Sequence, residues 1–214
     1  ISSQHFSTLA QETARLWPHF TKQESLRTRL LLERLARGYR TNKYIERIRP
    51  KIHPKQQAYL SLECVEAFFG GAAGGGKTDA LLLAALQYVD IPEYSAILFR
   101  KTYTDMQGAG AIMTRAVSWF REFPEVRWSS QDKTFYFPKG SRISFAYLEN
   151  DGDRERYQGW EFQFVGFDEL TQFDEAPYRY LFSRLRRLTG QPVPLRMRAG
   201  SNPGRERRVV KHFA

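Results

Sequence analysis

Gly71-Ala72-Ala73-Gly74-Gly75-Gly76-Lys77-Thr78 constrains this chain more than any other stretch. It satisfies G-x-x-x-x-G-K-[ST] at every required position. An apolar run, Val65 to Phe69 broken only by Glu66, precedes it. Asp79-Ala80-Leu81-Leu82-Leu83-Ala84-Ala85-Leu86 follows with the composition of a helix. Strand, loop and helix in that order predict a phosphate-binding turn. Glycines let successive backbone N–H groups face inward around an anion, and the next helix aims its positive end at the same point. Lys77 is placed to neutralise terminal-phosphate charge and Thr78 to offer a hydroxyl to Mg²⁺. The expected nucleotide contacts are therefore Gly71, Ala72, Ala73, Gly74, Gly75, Gly76, Lys77, Thr78 and Asp79. The alternative is a merely flexible Gly-rich loop, which has no need of Lys-Thr at this spacing.

The chain has 214 residues and is 42% hydrophobic, enough to bury the core of one sizeable α/β domain with an appendage. Its net charge of +10 is uneven: residues 1–60 hold 12 Lys/Arg against 4 Asp/Glu, whereas residues 61–150 hold 9 against 10. A basic end on a nucleotide-binding core suggests a polyanionic partner, most simply nucleic acid; a solvated basic helix is the other reading. The single cysteine, Cys64, excludes an internal disulfide and is expected to be a small core residue. No apolar run approaches the length of a membrane span, and the N-terminus lacks a signal-peptide core. Because the first residue is Ile1, the chain is expected to be a fragment.

In chain order, Thr21-Lys22-Gln23-Glu24 has the form of a capping box. A helix should follow as far as Gly38, and a second piece should run from about Thr41 to Arg49, ending before Pro50. Residues 1–50 read as a helical appendage or lid and residues 51–214 as the core. Gln56 and Gln57, after His53-Pro54-Lys55, stand where helicase-like ATPases read adenine with a glutamine amide. Ser95 to Phe99 reads as a second buried strand, ending in Arg100-Lys101-Thr102, where α/β sheets bind ligands. Arg100 is either a nucleotide contact or half of an ordinary surface pair. A helix from about Asp105 to Phe120 follows. Then Val126 to Trp128, Thr134 to Phe137 and Arg142 to Tyr147 alternate like short strands around the turn Pro138-Lys139-Gly140-Ser141.

Phe162 to Phe167 is a mainly apolar strand ending in Asp168-Glu169. After a phosphate-binding loop this is the expected second half of a hydrolytic site. Asp168 is expected to hold Mg²⁺ and Glu169 to activate water beside the γ-phosphate. A helix rich in arginine is predicted from about Ala176 to Arg187, and a strand from Leu195 to Ala199 that leads to Ser201-Asn202-Pro203-Gly204. A polar residue there can sense the γ-phosphate, although Asn-Pro-Gly also makes an everyday turn.

From about His53 to Gly204 the set resembles the ATPase domain of the large terminase subunit, the DNA-packaging motor of tailed bacteriophages. The carriers are Pro54-Lys55-Gln56-Gln57, Gly71 to Thr78, Leu98-Phe99-Arg100-Lys101-Thr102-Tyr103, Gly140-Ser141-Arg142-Ile143-Ser144-Phe145, Tyr157-Gln158-Gly159, Phe167-Asp168-Glu169 and Ser201-Asn202-Pro203. The resemblance implies a three-layer P-loop fold of the additional-strand type: a mainly parallel sheet flanked by helices, with a β-hairpin excursion. It implies ATP and Mg²⁺ as ligands, and a homo-oligomeric ring docked on a viral portal with a small terminase subunit. In the host cytoplasm that ring would drive double-stranded DNA into a procapsid. Ser201 and Asn202 match its coupling motif. Arg156 and Arg154 match its trans-acting arginine finger; Gln158 stands where many members have arginine. The usual C-terminal nuclease finds no room before Ala214. A helicase-like ATPase is the alternative function, and a nucleic-acid-binding module with a non-catalytic nucleotide pocket is a further one.

Overall fold

The structure, a computed structural model, describes residues 38–49, 52–72 and 74–202. These group into two compact units, 38–41 with 52–62, and 42–49 with 63–202. The smaller unit carries helix α2 (Pro54–Leu60), with proline in its first turn, where a missing N–H costs nothing. The helix expected after Thr21 lies outside the described residues.

The larger unit begins with helix α1 (Lys43–Ile48). Asn42 caps it by accepting from the backbone N–H groups of Tyr44 and Ile45. The same side chain donates to Leu86 O at 2.7 Å, and Tyr44 packs edge-on against Phe123 and Phe137. This helical piece, expected in the appendage, thus belongs to the sheet's own unit.

Among the described residues seven strands form one open sheet: β1 (Glu66–Gly70), β2 (Ser95–Arg100), β3 (Arg127–Ser129), β4 (Thr134–Tyr136), β5 (Arg142–Tyr147), β6 (Phe164–Asp168) and β7 (Arg196–Ser201), in the order β1-β7-β6-β2-β5-β4-β3. The first five in that order are parallel, and β4 and β3 are antiparallel additions. β7, the last strand among the described residues, is inserted between β1 and β6, so the fold is the expected additional-strand type. β5 pairs with β2 along its length, leaving β3–β4 as the hairpin excursion.

Helix α3 (Lys77–Leu86) is buried at every position but Thr78, which explains a sequence apolar all round rather than on one stripe. It lies on β6 and β7 at close range: a Cβ on Gly166 would collide with Leu98 Cδ2 and meet Leu81 Cδ1 at 3.2 Å. On the opposite face, Phe99, Tyr157, Phe162, Phe167, Phe173 and Tyr178 build an aromatic-rich core under helix α6 (Glu175–Phe182).

Three expectations are corrected. The helix expected from Asp105 to Phe120 is two, α4 (Tyr103–Gln107) and α5 (Ile112–Phe120), because the chain turns at Gly108 and at Gly110, whose φ is +75°. Helix α6 stops at Phe182 instead of reaching Arg187, because Leu185 leaves to bridge Phe162. Cys64 is exposed, not buried; it precedes β1, which is an edge strand and covers only part of its surroundings.

Candidate functional site

The register of the sheet assembles the site. Gly70 at the end of β1 lies opposite Ser201, and Asp168 at the end of β6 lies opposite Gly200. The loop after β1, the acids after β6 and the end of β7 therefore meet at the carboxyl edge of the sheet. Gly74 and Gly76 adopt φ of +78° and +71°, backbone that L side chains rarely adopt. Gly76 is the N-cap of α3, and its conformation delivers Lys77 and Thr78 into the first turn.

Lys77 spends its three ammonium protons on Gly71 O at 3.1 Å, Ala72 O at 2.9 Å and Asn202 Oδ1 at 2.8 Å. Thr78 Oγ1 donates to Asp168 Oδ1 at 3.1 Å. The other oxygen of Asp168 lies 3.4 Å from Arg100 Nη1. Burial pushes the Asp168 carboxyl up to about 6, helped by the neighbouring Glu169 charge and opposed by Arg100, Thr78 and Lys77. A hydroxyl beside a buried carboxylate is the oxygen set a small hard cation takes, so Thr78 and Asp168 fit Mg²⁺. Arg100 Nε is buried without a hydrogen-bond partner among the described residues. That leaves it a donor for an anion at the same place.

Glu169 follows β6 in the left-handed region, at φ +57° and ψ +55°. Few residues other than glycine sit there, and such strain gathers at functional sites. Glu169 Oε2 accepts from Ser201 Oγ at 2.9 Å, and Ser201 Oγ also lies 2.7 Å from Thr171 Oγ1. Thr78, Asp168 and Arg100 thus form one bonded set and Lys77, Asn202, Ser201 and Glu169 another, joined in one constellation through the chain neighbours Lys77–Thr78 and Asp168–Glu169. Thr171 was invisible to sequence reasoning, since it belongs to no motif.

Other predicted residues make contacts outside it. The Asp79 carboxylate turns to Arg49 and Arg115, both within hydrogen-bond reach. Arg156 pairs with Asp153 at 2.7 Å and lies over the Tyr147 ring, with its side chain 55% exposed; Arg154 sits on the same 3₁₀ turn, Asp151–Tyr157. Gln56 and Gln57 belong to the smaller unit. There Gln56 Oε1 accepts from His53 N and Gln57 Nε2 donates to Ile52 O. Ala73 lies outside the described residues.

Residues 68–195 match the family described as terminase large subunit, T4likevirus-type, N-terminal. The chain belongs to the large terminase subunit family. Solved structures agree on the fold. The large terminase of bacteriophage HK97 superposes with a TM-score of 0.62 at 13% identity, covering 79% of this chain and 39% of that one. The ATPase domain of the Thermus phage P74-26 large terminase gives 0.55 at 16% identity, covering 78% and 72%. The N-terminal domain of the DNA packaging ATPase of bacteriophage phi29 gives 0.54 at 16% identity, covering 76% and 84%. The chain thus spans about two fifths of the HK97 terminase. No curated protein matches its sequence. Among the described residues no helix is long and apolar enough to cross a membrane.

Proposed function

We propose that this terminase domain is a Mg²⁺-dependent ATPase that drives double-stranded DNA into a viral procapsid. One observation carries the reading: Thr78 of the phosphate loop hydrogen-bonds Asp168 of the acid pair, 3.1 Å apart and 90 residues away in sequence. A glycine loop alone binds phosphate; a loop joined to two adjacent acids at a strand end can also hydrolyse it.

In this reading the loop amides and Lys77 bind the phosphates, Arg100 adds positive charge, and Thr78 with Asp168 holds the metal. Mg²⁺ bound there would offset phosphate charge as it builds during transfer. Glu169 takes the proton of the attacking water. Ser201 fixes its Oε2, leaving Oε1 to accept. Lys77 has three donors and three protein acceptors, so an incoming phosphate competes for them. The contact with Asn202 Oδ1 is the one whose loss reaches β7, which makes Ser201-Asn202 the coupling element. Gln56 or Gln57 reads the adenine, and Arg156 or Arg154 enters a neighbouring subunit's site. The working assembly is a homo-oligomeric ring on a viral portal, supplied with DNA by a small terminase subunit in the host cytoplasm. The packaging and ATPase roles named for the phi29 and Thermus phage structures support this reading.

The test is phosphate release with ATP, Mg²⁺ and duplex DNA, for the parent and for Glu169→Gln. The parent should turn over, and the variant should bind ATP yet release almost no phosphate. A parent that binds ATP with no release would remove the catalytic reading.

A further inference from the structure

The arginine-rich segment after Glu175 plays no part in the nucleotide site. No Asp or Glu occurs between Glu175 and Glu206, while Arg179, Arg184, Arg186 and Arg187 fall within it. Such a run can be a solvated surface, but here three observations give it a built geometry.

First, the segment is fixed to the sheet. Phe162 N donates to Arg184 O at 3.1 Å and Arg186 N to Phe162 O at 2.9 Å. Second, a chain of hydrogen bonds continues along the amino edge of the sheet. Gln163 Nε2 donates to Arg186 O at 2.9 Å, Ser95 N donates to Gln163 Oε1 at 2.8 Å, and Arg142 Nε donates to Ser95 Oγ at 3.1 Å. Arg142, itself exposed, is thereby joined to the Arg184–Arg187 turn across the starts of β5, β2 and β6. Third, Arg179 pairs with Glu175 at 2.5 Å, but the guanidinium groups of Arg142, Arg184, Arg186 and Arg187 have no carboxylate partners among the described residues. Arg184 donates to Ser183 Oγ and stacks over Tyr180, and Arg186 donates to Ser183 O and Leu185 O. Arg186 and Arg187 are exposed, as is Phe182 at 39%. Glu93 and Glu161 lie just before β2 and β6 in sequence, and Asp132 lines a cavity together with Arg142.

Guanidinium forks without carboxylate partners, beside exposed aromatic surface and tied to one sheet edge by backbone and side-chain hydrogen bonds, suit a repeating row of phosphates. We propose that the strip Arg142, Arg184, Arg186 and Arg187 is a contact surface for the backbone of duplex DNA. It rests on the DNA-motor reading and locates the polymer. The strip lies at the amino edge of the sheet, whereas ATP is assigned to the carboxyl edge. β6 starts beside the strip at Phe164 and ends on Asp168, so one strand, roughly 17 Å long at about 3.3 Å per residue, links DNA to the acid pair.

The experiment is fluorescence anisotropy of the full chain with a short labelled DNA duplex across a salt series. The variants are the Arg184→Ala/Arg186→Ala/Arg187→Ala triple and Arg187→Gln alone. The parent's log K should fall linearly with log salt. Removing one arginine–phosphate pairing should flatten that slope by about 0.9, so the slope should shrink by about 2–3 in the triple variant and by about 1 in the single. DNA-independent ATP turnover should be unchanged in both. Arg187 makes no side-chain hydrogen bond among the described residues, so Arg187→Gln removes charge without disturbing the turn. A parent that binds DNA together with variants that keep its affinity and slope would overturn the strip alone. A parent that hydrolyses ATP but binds no duplex would overturn the motor reading and the strip with it. Unchanged DNA slopes with altered sedimentation of the triple variant would assign the strip to a protein partner and also reject the proposal.

Discussion

Ser201 Oγ donates to Glu169 Oε2 across 2.9 Å, joining the last residue of β7 to the residue that follows β6. Glu169 occupies a left-handed conformation that costs on the order of 1–3 kcal/mol. The bond to Ser201 helps to hold its carboxylate there. Glu169→Gln should lower kcat by about 10²–10⁴, the usual worth of a general base, while ATP still binds. Ser201→Ala should lower kcat by less, with KM for ATP nearly unchanged, because it loosens the base without touching the nucleotide. Single-turnover phosphate release with both variants checks this. A Ser201→Ala enzyme with parental kcat would detach β7 from catalysis.

The glycine loop before α3, the position of the acid pair at a strand end and the parallel core were legible because each rests on local chemistry: glycines at a turn, acids at a strand end, an unbroken apolar helix. The partners of Asp79 were not legible. Arg49 and Arg115 lie far from it in sequence and belong to no motif, so only the packed chain shows that its carboxylate faces them. Cys64 was misjudged because the sequence does not say that β1 would be an edge strand. The break at Gly108–Gly110 is local turn chemistry carried by two glycines, whereas the early end of α6 at Phe182 is a tertiary override imposed by the Phe162–Leu185 bridge.

The two arginines on Asp79 make a prediction that separates structure from ligand binding. Asp79→Asn should lower stability by about 1–3 kcal/mol, the range for hydrogen bonds to charged groups. ATP affinity should change little, since the side chain faces away from the loop. Urea unfolding and nucleotide titration on the same sample read both. A large loss of ATP affinity with parental stability would return Asp79 to the nucleotide contacts.

Gly166 has no room for a side chain between Leu98, Phe164 and Leu81. Gly166→Ala must push α3 off β6 or force Leu98 from its rotamer. Overpacking of this kind costs about 1–3 kcal/mol. The urea midpoint should fall, and because α3 carries Lys77 and Thr78 in its first turn, ATP should bind more weakly too. Parental values for both would show that the layer is looser than the packing indicates.

Asp168 carries a pH signature. Its folded pKa of about 6 stands above the ordinary 3.8 because burial penalises the charged form. Between those values the folded protein holds more protons than the unfolded one, so this group's contribution to stability falls as pH rises through that window. Asp168→Asn imitates the protonated form. Without nucleotide or Mg²⁺ in the buffer, it should be more stable than the parent above pH 6, and the gap should close near pH 4. Mg²⁺ needs the carboxylate, so parental Mg²⁺-dependent ATP binding should weaken as pH drops through about 6, and Asp168→Asn should lose the Mg²⁺ dependence. Denaturation midpoints across pH test the first half; a constant gap from pH 4 to 8 would refute it.

In the proposed ring, Arg156 would serve a neighbouring subunit's site. Its guanidinium pairs with Asp153 and lies over Tyr147, yet its side chain stays 55% exposed on the turn before β6. A finger of this kind contributes about 10³–10⁵ in rate. If it acts in trans, turnover per chain should rise with protein concentration, and Arg156→Ala should be nearly inactive while binding ATP normally. Complementation then decides. Arg156→Ala keeps an intact Glu169 but offers no finger, whereas Glu169→Gln offers the finger but no base. Mixing the two inactive variants should therefore restore measurable turnover at mixed interfaces. The same mixture made with Arg154→Ala distinguishes the two arginines. Full turnover by dilute monomer, or mixtures that stay inactive for both arginines, would place charge compensation within one chain.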